Sequence, residues 1–198
     1  MPKQIADEDI FHVTMRLFVE RGYAGATTRQ IAEEAEINEV TLFRKFSSKA
    51  ELVAAAVAHE VGRIAEEDFP YTGDVEADLL QIVSGYRGAV SRYGEFLPVL
   101  LAEIPRHPEL RPVLQAPFRV LTAIGRVLER YQEAGILRPE PPLQAVSGLL
   151  GPVMVLTMMG GADPDLALPS PEPEAIVAAF LHGRLETGSE RREDRRIP

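Results

Sequence analysis

The sequence predicts an all-α protein. Apolar residues recur at helical spacings of three and four along nearly the whole chain, rather than in the strict alternation of strands. Two capping boxes mark helix starts, and proline and glycine mark the breaks between helices. The 198 residues, 45% hydrophobic and 26% charged, have a soluble globular composition and fit one or two domains.

The composition restricts the chemistry. The chain has no cysteine, which excludes disulfides, a thiolate nucleophile and cysteine-ligated metals, and permits a reducing cytoplasmic setting. Its formal charge of -9 argues against nucleic-acid binding through bulk positive charge. Any binding of DNA must therefore come from a local patch.

The first third of the chain predicts four helices. The first ends at Gly22, a residue suited to a left-handed helix end. Thr27 and Gln30 form the first capping box, Asn38 is an N-cap, and Ser48 with Glu51 forms the second box. The helices are expected at about 5–21, 27–35, 39–46 and 48–64, and the middle two form a helix-turn-helix candidate.

The remainder predicts five more helices. Proline and glycine within 69–73 break the chain, and long helices follow at about 74–93 and 118–134, with a shorter one at 96–104 and a proline-interrupted stretch at 105–117. The last two predicted helices begin at about residue 142 and span 172–185. We expect a helix-turn-helix domain over 1–48, a helical domain over 49–186 entered by the helix from 49, and a disordered charged tail over 187–198.

Residues 141–162 are uncharged and about as long as a membrane span. Their glycines, Pro152 and polar residues instead favour a buried helix, in a core or at a subunit interface. Three acids, Asp7 to Asp9, precede any apolar run, so no export signal is expected. The sequence thus predicts a cytoplasmic protein outside the membrane.

A basic patch lies on the second helix of the helix-turn-helix pair. Residues 1–60 hold seven Lys and Arg against ten Asp and Glu, yet 41–49 hold three cations and no acid. The second helix of such a pair enters the major groove by its N-terminus, while flanking cations contact phosphates. Base contacts are therefore expected from Asn38, Glu39, Val40 and Thr41, and phosphate contacts from Arg44, Lys45, Lys49 and the Thr27 and Thr28 hydroxyls.

The stretch LFVERGYAGATTRQIAEEAEINEVTLFRKFSSKAELVAAAV resembles the DNA-binding domain of the TetR (tetracycline repressor-like) family. The shared positions include Gly22-Tyr23, Thr27, Leu42, Phe46 and Ser48-Lys49. The resemblance implies a three-helix DNA-binding domain, a larger helical ligand-binding domain and a homodimer built from the last two helices.

Two positions depart from the family pattern. The family usually has tyrosine, a phosphate contact, where Phe43 stands, so one backbone hydrogen bond is expected to be missing. It usually has glycine where Glu36 stands, so Glu36 is expected in a left-handed conformation. The expected DNA-binding residues are Thr27, Thr28, Arg29, Asn38, Glu39, Val40, Thr41, Phe43, Arg44, Lys45 and Lys49.

The second domain is expected to hold an apolar pocket among its helices, with tyrosine hydroxyls as sparse polar anchors. Each of these residues could equally be ordinary core. The candidates are Tyr86, Tyr93, Phe96, Leu100, Phe118, Tyr131, Met154 and Met158.

Small residues on the uncharged helix would admit a second helix at close range, which predicts a four-helix dimer interface. Its expected residues are Leu149, Val153, Ile176, Val177, Phe180 and Leu181.

Enzymatic motifs are lacking. The four histidines are scattered without metal-ligand spacing, and no nucleophile elbow, phosphate loop or dinucleotide fingerprint is present. No cofactor and no metal are expected. The sequence favours a ligand-responsive regulator, a repressor, that binds a palindromic double-stranded DNA operator as a homodimer and is released by a small, largely apolar ligand. The alternatives are a helical small-molecule-binding protein that has lost DNA binding, and a helical enzyme.

Overall fold

A computed structural model describes residues 7–62, 69–162 and 171–184. In these ranges the chain forms nine α-helices and one 3-10 helix, which confirms the all-α prediction. The expected tail over 187–198 and most of the loop expected after residue 160 lie outside the described residues.

The first four helices are α1 (Asp7–Gly25), α2 (Thr28–Glu34), α3 (Glu39–Lys45) and α4 (Lys49–Gly62). Within α1 the helical path breaks at Gly22, where φ is 68°, at the predicted end of the first helix. The Thr27–Gln30 capping box is formed, and the Asn38 side chain accepts from the Val40 N–H at 2.8 Å. Local signals therefore define both helices of the helix-turn-helix pair.

The turns before and after α3 differ in how closely they match the sequence prediction. Glu36 has a φ of 53°, which confirms its expected left-handed conformation. The second capping box is only half formed, because Ser48 caps the Glu51 N–H at 3.1 Å but the Glu51 carboxylate turns to the Ser47 N–H at 2.9 Å. These hydrogen bonds from Ser47 hold the pKa of Glu51 below its ordinary value.

The later helices are α5 (Val75–Tyr93), α6 (Phe96–Glu103), the 3-10 helix (Pro108–Leu114), α7 (Gln115–Glu133), α8 (Pro142–Ala162) and α9 (Pro173–His182). Helix α7 begins three residues before the expected residue 118. Pro117 lies in the first turn of α7, where a missing N–H leaves no hydrogen bond unmade, so it does not interrupt the helix.

The buried side chains form two apolar clusters. The N-terminal core joins α1–α4 to α6 and the 3-10 helix, and includes Phe18, Leu42, Phe96 and Leu110. The C-terminal core joins α5, α7, α8 and α9. Helices α4 and α6 of the N-terminal core also pack against α7 and α8 of the C-terminal core, so the two cores adjoin. The boundary expected at residues 48 and 49 stays a prediction.

Candidate DNA-binding face and ligand cavity

Helix α3 presents most of its surface to solvent. Only Leu42 is fully buried, whereas Val40 is 74% exposed and Phe43 is 49% exposed. Large apolar side chains on a surface mark contact sites when they lie together. The methyl groups of Val40 and the ring of Phe43 thus form an apolar edge on the helix expected to enter the major groove.

Thr28 and Glu39 link the two helices of the pair. The Thr28 hydroxyl donates to the Glu39 carboxylate at 2.7 Å, and both side chains are partly buried. This bond holds the start of α2 against the start of α3. The two groups expected to contact DNA therefore contact each other in this structure.

The basic residues of α2 to α4 are mostly engaged within the protein. Arg29 pairs with Glu33 at 2.9 Å, and Lys45 pairs with Asp7. Among the described residues of these three helices, Arg44 is the one cation with neither an ion pair nor a hydrogen bond. The expected patch of three free cations is thus reduced to Arg44.

Lys49 does not lie on the outer face, contrary to expectation. Its ammonium donates to the Tyr23 carbonyl and lies 4.1 Å from the centroid of the Tyr23 ring. Partial burial lowers the pKa of Lys49 below its ordinary value. This cation is thus committed to the junction between α1 and α4, and a phosphate contact from it is disfavoured.

An apolar cavity of about 380 Å³ lies between α1 and the helices α4 to α8. Six of the eight expected pocket residues line it: Tyr86, Phe96, Leu100, Phe118, Met154 and Met158. The volume falls within the range of small-molecule sites, roughly 300–1,000 Å³. Much of the cavity lining was not predicted, including Met15, Val57, Leu97 and Leu121. In the sequence these apolar residues cannot be distinguished from ordinary core residues.

Polar groups are sparse in this cavity. Glu60 is the one charged residue among its described lining, and it lies 3.3 Å from the His12 Nε2. Tyr86 also lines the wall, and burial raises the pKa of its hydroxyl. The cavity thus favours an uncharged, apolar occupant.

Two expected pocket residues are not shown in the cavity. The Tyr131 ring is fully buried in the C-terminal core, and its hydroxyl donates to the buried Asp78 carboxylate. Thr72 completes the site by donating its N–H at 2.7 Å and its hydroxyl at 2.8 Å to Asp78. Tyr131 is therefore a structural residue, because its polar end is satisfied inside the core. Tyr93 belongs to α5, but its side chain lies outside the described part.

Helix α6 borders both the cavity and α1. Phe96, Leu97, Leu100 and Leu101 of α6 line the cavity, and beyond its end His107 packs on the Tyr23 ring, with centroids 4.8 Å apart. Helix α1 and the end of α6 come close where Gly22 meets Glu103: a side-chain Cβ at Gly22 would lie 3.2 Å from the Glu103 Oε1. One short helix therefore contacts both regions.

The expected dimer residues are buried within the subunit. Leu149, Val153, Ile176, Val177, Phe180 and Leu181 all belong to the C-terminal core and are at most 7% exposed. A role of α8 and α9 in a dimer stays a prediction, and other residues of these two helices reach solvent. Over residues 142–159 of α8 the exposed residues are Leu143, Gln144, Ser147, Pro152, Val155 and Met159. On α9 the exposed face includes Ala175, Ala178, Ala179 and His182.

Helix α8 passes the length and composition test for a membrane span, with a mean hydropathy of 1.5 over Pro142–Met159, of which 28% is buried. Because one face of α8 packs in the C-terminal core, this is weak evidence for a membrane segment. Over residues 7–62, 69–162 and 171–184, no group of three His, Asp or Glu side chains is placed to hold a metal.

A second depression lies on the outer face of α7. It is lined by Arg111, Arg119 and Arg126 together with Gln115 and Thr122, and by the apolar Ile104, Leu114 and Phe118. We call it the arginine groove. This groove could not be predicted from the sequence, because a sequence does not show which exposed cations lack partners.

Two family models of known proteins match this chain, one in each half. Residues 10–56 match the family model for bacterial regulatory proteins of the tetR family, and residues 69–185 match that for the tetracyclin repressor-like C-terminal domain. HTH-type transcriptional regulators of Mycobacterium bovis and Mycobacterium tuberculosis, themselves uncharacterized, are 33% identical over 57% of this chain and 54% of theirs. The chain thus spans about half the length of these relatives.

Two further matches cover more of the chain. The HTH-type transcriptional repressor AcnR of Corynebacterium glutamicum is 28% identical over 74% of this chain and 77% of its own. The crystal structure of a candidate TetR-family transcriptional regulator from Mesorhizobium loti superposes with a TM-score of 0.71 at 20% identity, covering 91% of this chain and 96% of that one.

Proposed function

This chain belongs to the TetR family of bacterial regulatory proteins, and from that premise we propose that it is a repressor that binds a palindromic operator as a homodimer and is released by a small, largely apolar ligand. Membership in this family gives the general role of the protein, a transcription regulator with a DNA-binding helix-turn-helix. TetR regulators are non-enzymatic, soluble DNA-binding proteins. The relative AcnR is a repressor, which supports the sign of regulation. The site of action would be the cytoplasm.

The observation that carries the proposal is the double role of α6. Its side chains form part of the cavity wall. At its C-terminal end Glu103, and just beyond it His107, meet α1, which packs against α2 of the helix-turn-helix pair. An occupant of the cavity would displace the same helix that supports the DNA-binding half. A ligand can shift such an equilibrium only by its differential affinity for the two states.

The proposed DNA contacts follow from exposure and charge. Val40, Thr41 and Phe43 would meet thymine methyl groups and sugar, and Arg44 would meet a phosphate. The free backbone N–H groups at the start of α2, beside Thr27, would hold a second phosphate. Asn38 and Glu39 would act mainly by positioning α3, through the N-cap and the bond to Thr28.

The proposed homodimer uses the solvent-facing sides of α8 and α9. The exposed residues of α8 over 142–159 are all uncharged, and α9 exposes three alanines beside Glu174 and His182, so two copies could pack their helices closely. A two-fold dimer would place two copies of α3 about one helical turn of DNA apart, roughly 34–36 Å. Such spacing requires an inverted repeat in the operator.

Selection from a library of random DNA duplexes tests the proposal whatever the sequence of the operator. The full-length protein should enrich duplexes that contain two inverted half-sites, and footprinting should protect both halves. Failure to enrich any motif at low salt would contradict the repressor role. Saturable binding of an apolar probe such as 1-decanol without any DNA affinity would instead select a small-molecule-binding protein, an alternative favoured by the scarcity of free cations around α3.

A further inference from the structure

The arginine groove is an electrostatic exception on this molecule. The chain carries 30 Asp and Glu against 21 Lys and Arg. Even so, the groove is lined by Arg111, Arg119 and Arg126 and by no acidic residue. All three arginines are exposed, and none forms an ion pair or a side-chain hydrogen bond within the part of the chain that the structure describes.

Helix geometry explains why the three arginines line one groove. Arg119 and Arg126 are seven residues apart on α7, which places them on one face two turns apart, with Thr122 between them. Arg111 approaches from the 3-10 helix that precedes α7. Guanidinium groups present forked N–H donors that match phosphate and other oxyanions. The side chains of the groove therefore offer the hydrogen-bond donors and positive charge that an anion requires.

The groove adjoins the apolar cavity. Leu114 and Phe118 line both, and Phe118 is 52% exposed, as expected of a side chain at a boundary. The cavity itself is a poor place for an anion, because its walls are apolar and its one described charged residue is the Glu60 carboxylate. An apolar cavity thus lies next to a cationic groove, with Leu114 and Phe118 in the walls of both.

We propose that the arginine groove is the head-group subsite of the ligand site, and that the natural ligand is an amphipathic anion. Its apolar part would occupy the cavity, and a phosphate-type head group would bind Arg111, Arg119 and Arg126. This inference rests on the proposed ligand-binding role of the cavity and narrows it to one chemical class.

Calorimetric titration of the full-length protein with two matched probes tests this assignment. 1-Decanol and decyl phosphate share the same chain and differ in the head group, and both are kept below micellar concentrations. Decyl phosphate should bind at least about tenfold more tightly than decanol at low salt, because charge-assisted hydrogen bonds add to the same apolar contacts. Added salt should lower the affinity for decyl phosphate and leave the affinity for decanol unchanged.

Charge variants locate the effect. The double variant Arg119→Gln/Arg126→Gln should lose about tenfold in affinity for decyl phosphate and change less than about twofold for decanol. The double variant Arg87→Gln/Arg138→Gln, which removes the same charge from ion pairs with Glu172 and Glu140, should bind both probes as the parent does.

The outcomes separate this inference from the proposed function. Equal affinity for the two probes, or an Arg119/Arg126 variant that keeps the phosphate preference, would overturn the head-group subsite. If decanol nonetheless binds and weakens DNA binding, the proposed ligand-released repressor is retained and only the head-group subsite is rejected. If neither probe binds, the subsite and the proposed apolar ligand site both fail, and the DNA-binding role is decided by the duplex selection.

Discussion

The imidazole of His107 packs edge-on against the phenol ring of Tyr23, with the ring centroids 4.8 Å apart. His107 follows α6, whose side chains line the cavity, and Tyr23 lies in the last turn of α1, in the N-terminal core. The Lys49 ammonium lies 4.1 Å from the centroid of the same tyrosine ring. Three parts of the fold therefore meet at one aromatic ring.

We expect this contact to transmit the ligand signal. His107→Ala should leave the affinity for 1-decanol within about twofold, but reduce the factor by which decanol weakens duplex binding by about threefold or more. His107→Phe keeps a ring against Tyr23 and should preserve the coupling. DNA affinity measured with and without decanol checks both variants. Full coupling in the alanine variant would show that the signal passes elsewhere.

Arg44 should contribute one phosphate contact. Arg44→Gln should weaken binding to all duplexes and lower the slope of log affinity against log salt by about one. Lys49→Gln should leave that slope unchanged, because its ammonium is engaged with Tyr23. Fluorescence anisotropy at several salt concentrations measures both slopes. Equal losses of slope in the two variants would place Lys49 on the DNA after all.

The left-handed backbone at Glu36 should cost stability. Glu36→Gly should be more stable than Glu36→Ala by about 1 kcal/mol, because only glycine adopts a φ of 53° without steric strain. The alanine variant is the matched control, since both substitutions remove the same side chain. Urea unfolding gives the two free energies. A glycine variant no more stable than alanine would contradict strain at this turn.

The buried Tyr131 hydroxyl should make the fold sensitive to alkali. Burial and the hydrogen bond to Asp78 raise the pKa of Tyr131 well above its ordinary value of 10.0. Above pH 10 the unfolded chain releases this proton while the folded chain keeps it, so the unfolded state binds fewer protons. The free energy of unfolding should therefore fall by about 1.4 kcal/mol per pH unit from this residue.

Tyr131→Phe provides the comparison. It should cost about 1–2 kcal/mol at neutral pH, because Asp78 loses a donor, and its stability should fall less steeply than that of the parent above pH 10. Chemical unfolding at a series of pH values gives the difference between the two curves. Parallel curves would mean that Tyr131 does not titrate as inferred.

The exposed side of α8 should hold the dimer together. Val155, which is 51% exposed, is one of the apolar residues that α8 presents to solvent. Val155→Asp should shift the protein to monomers, because an unpaired carboxylate would be buried in an apolar interface. Val155→Thr, similar in shape and uncharged, should remain dimeric. Analytical ultracentrifugation distinguishes them, and a dimeric aspartate variant would move the interface elsewhere.

Local signals predicted much of the fold, because caps and breaks depend on neighbouring residues. Thr27 with Gln30, Asn38 and Gly22 each mark a helix end that the structure contains. The position of Lys49 could not be predicted in this way. Its partner Tyr23 lies 26 residues earlier, and only tertiary packing brings the two together.

The two faces of α8 could not be assigned for a different reason. The helix is apolar on every side, so its sequence has no polar stripe that marks the solvent side. Leu149 and Val153 were therefore expected at a subunit interface, whereas they fill the C-terminal core. The arginine groove depends on which cations lack partners, and that is decided by the arrangement of side chains in space.

Helix α3 anchors itself through a single fully buried side chain, Leu42, and is capped from outside by Asn38. The exposed positions Val40, Phe43 and Arg44 could change identity with little penalty to folding. Mutation could in this way retarget the protein to a new operator one base contact at a time, while the scaffold and its response to ligand are inherited intact.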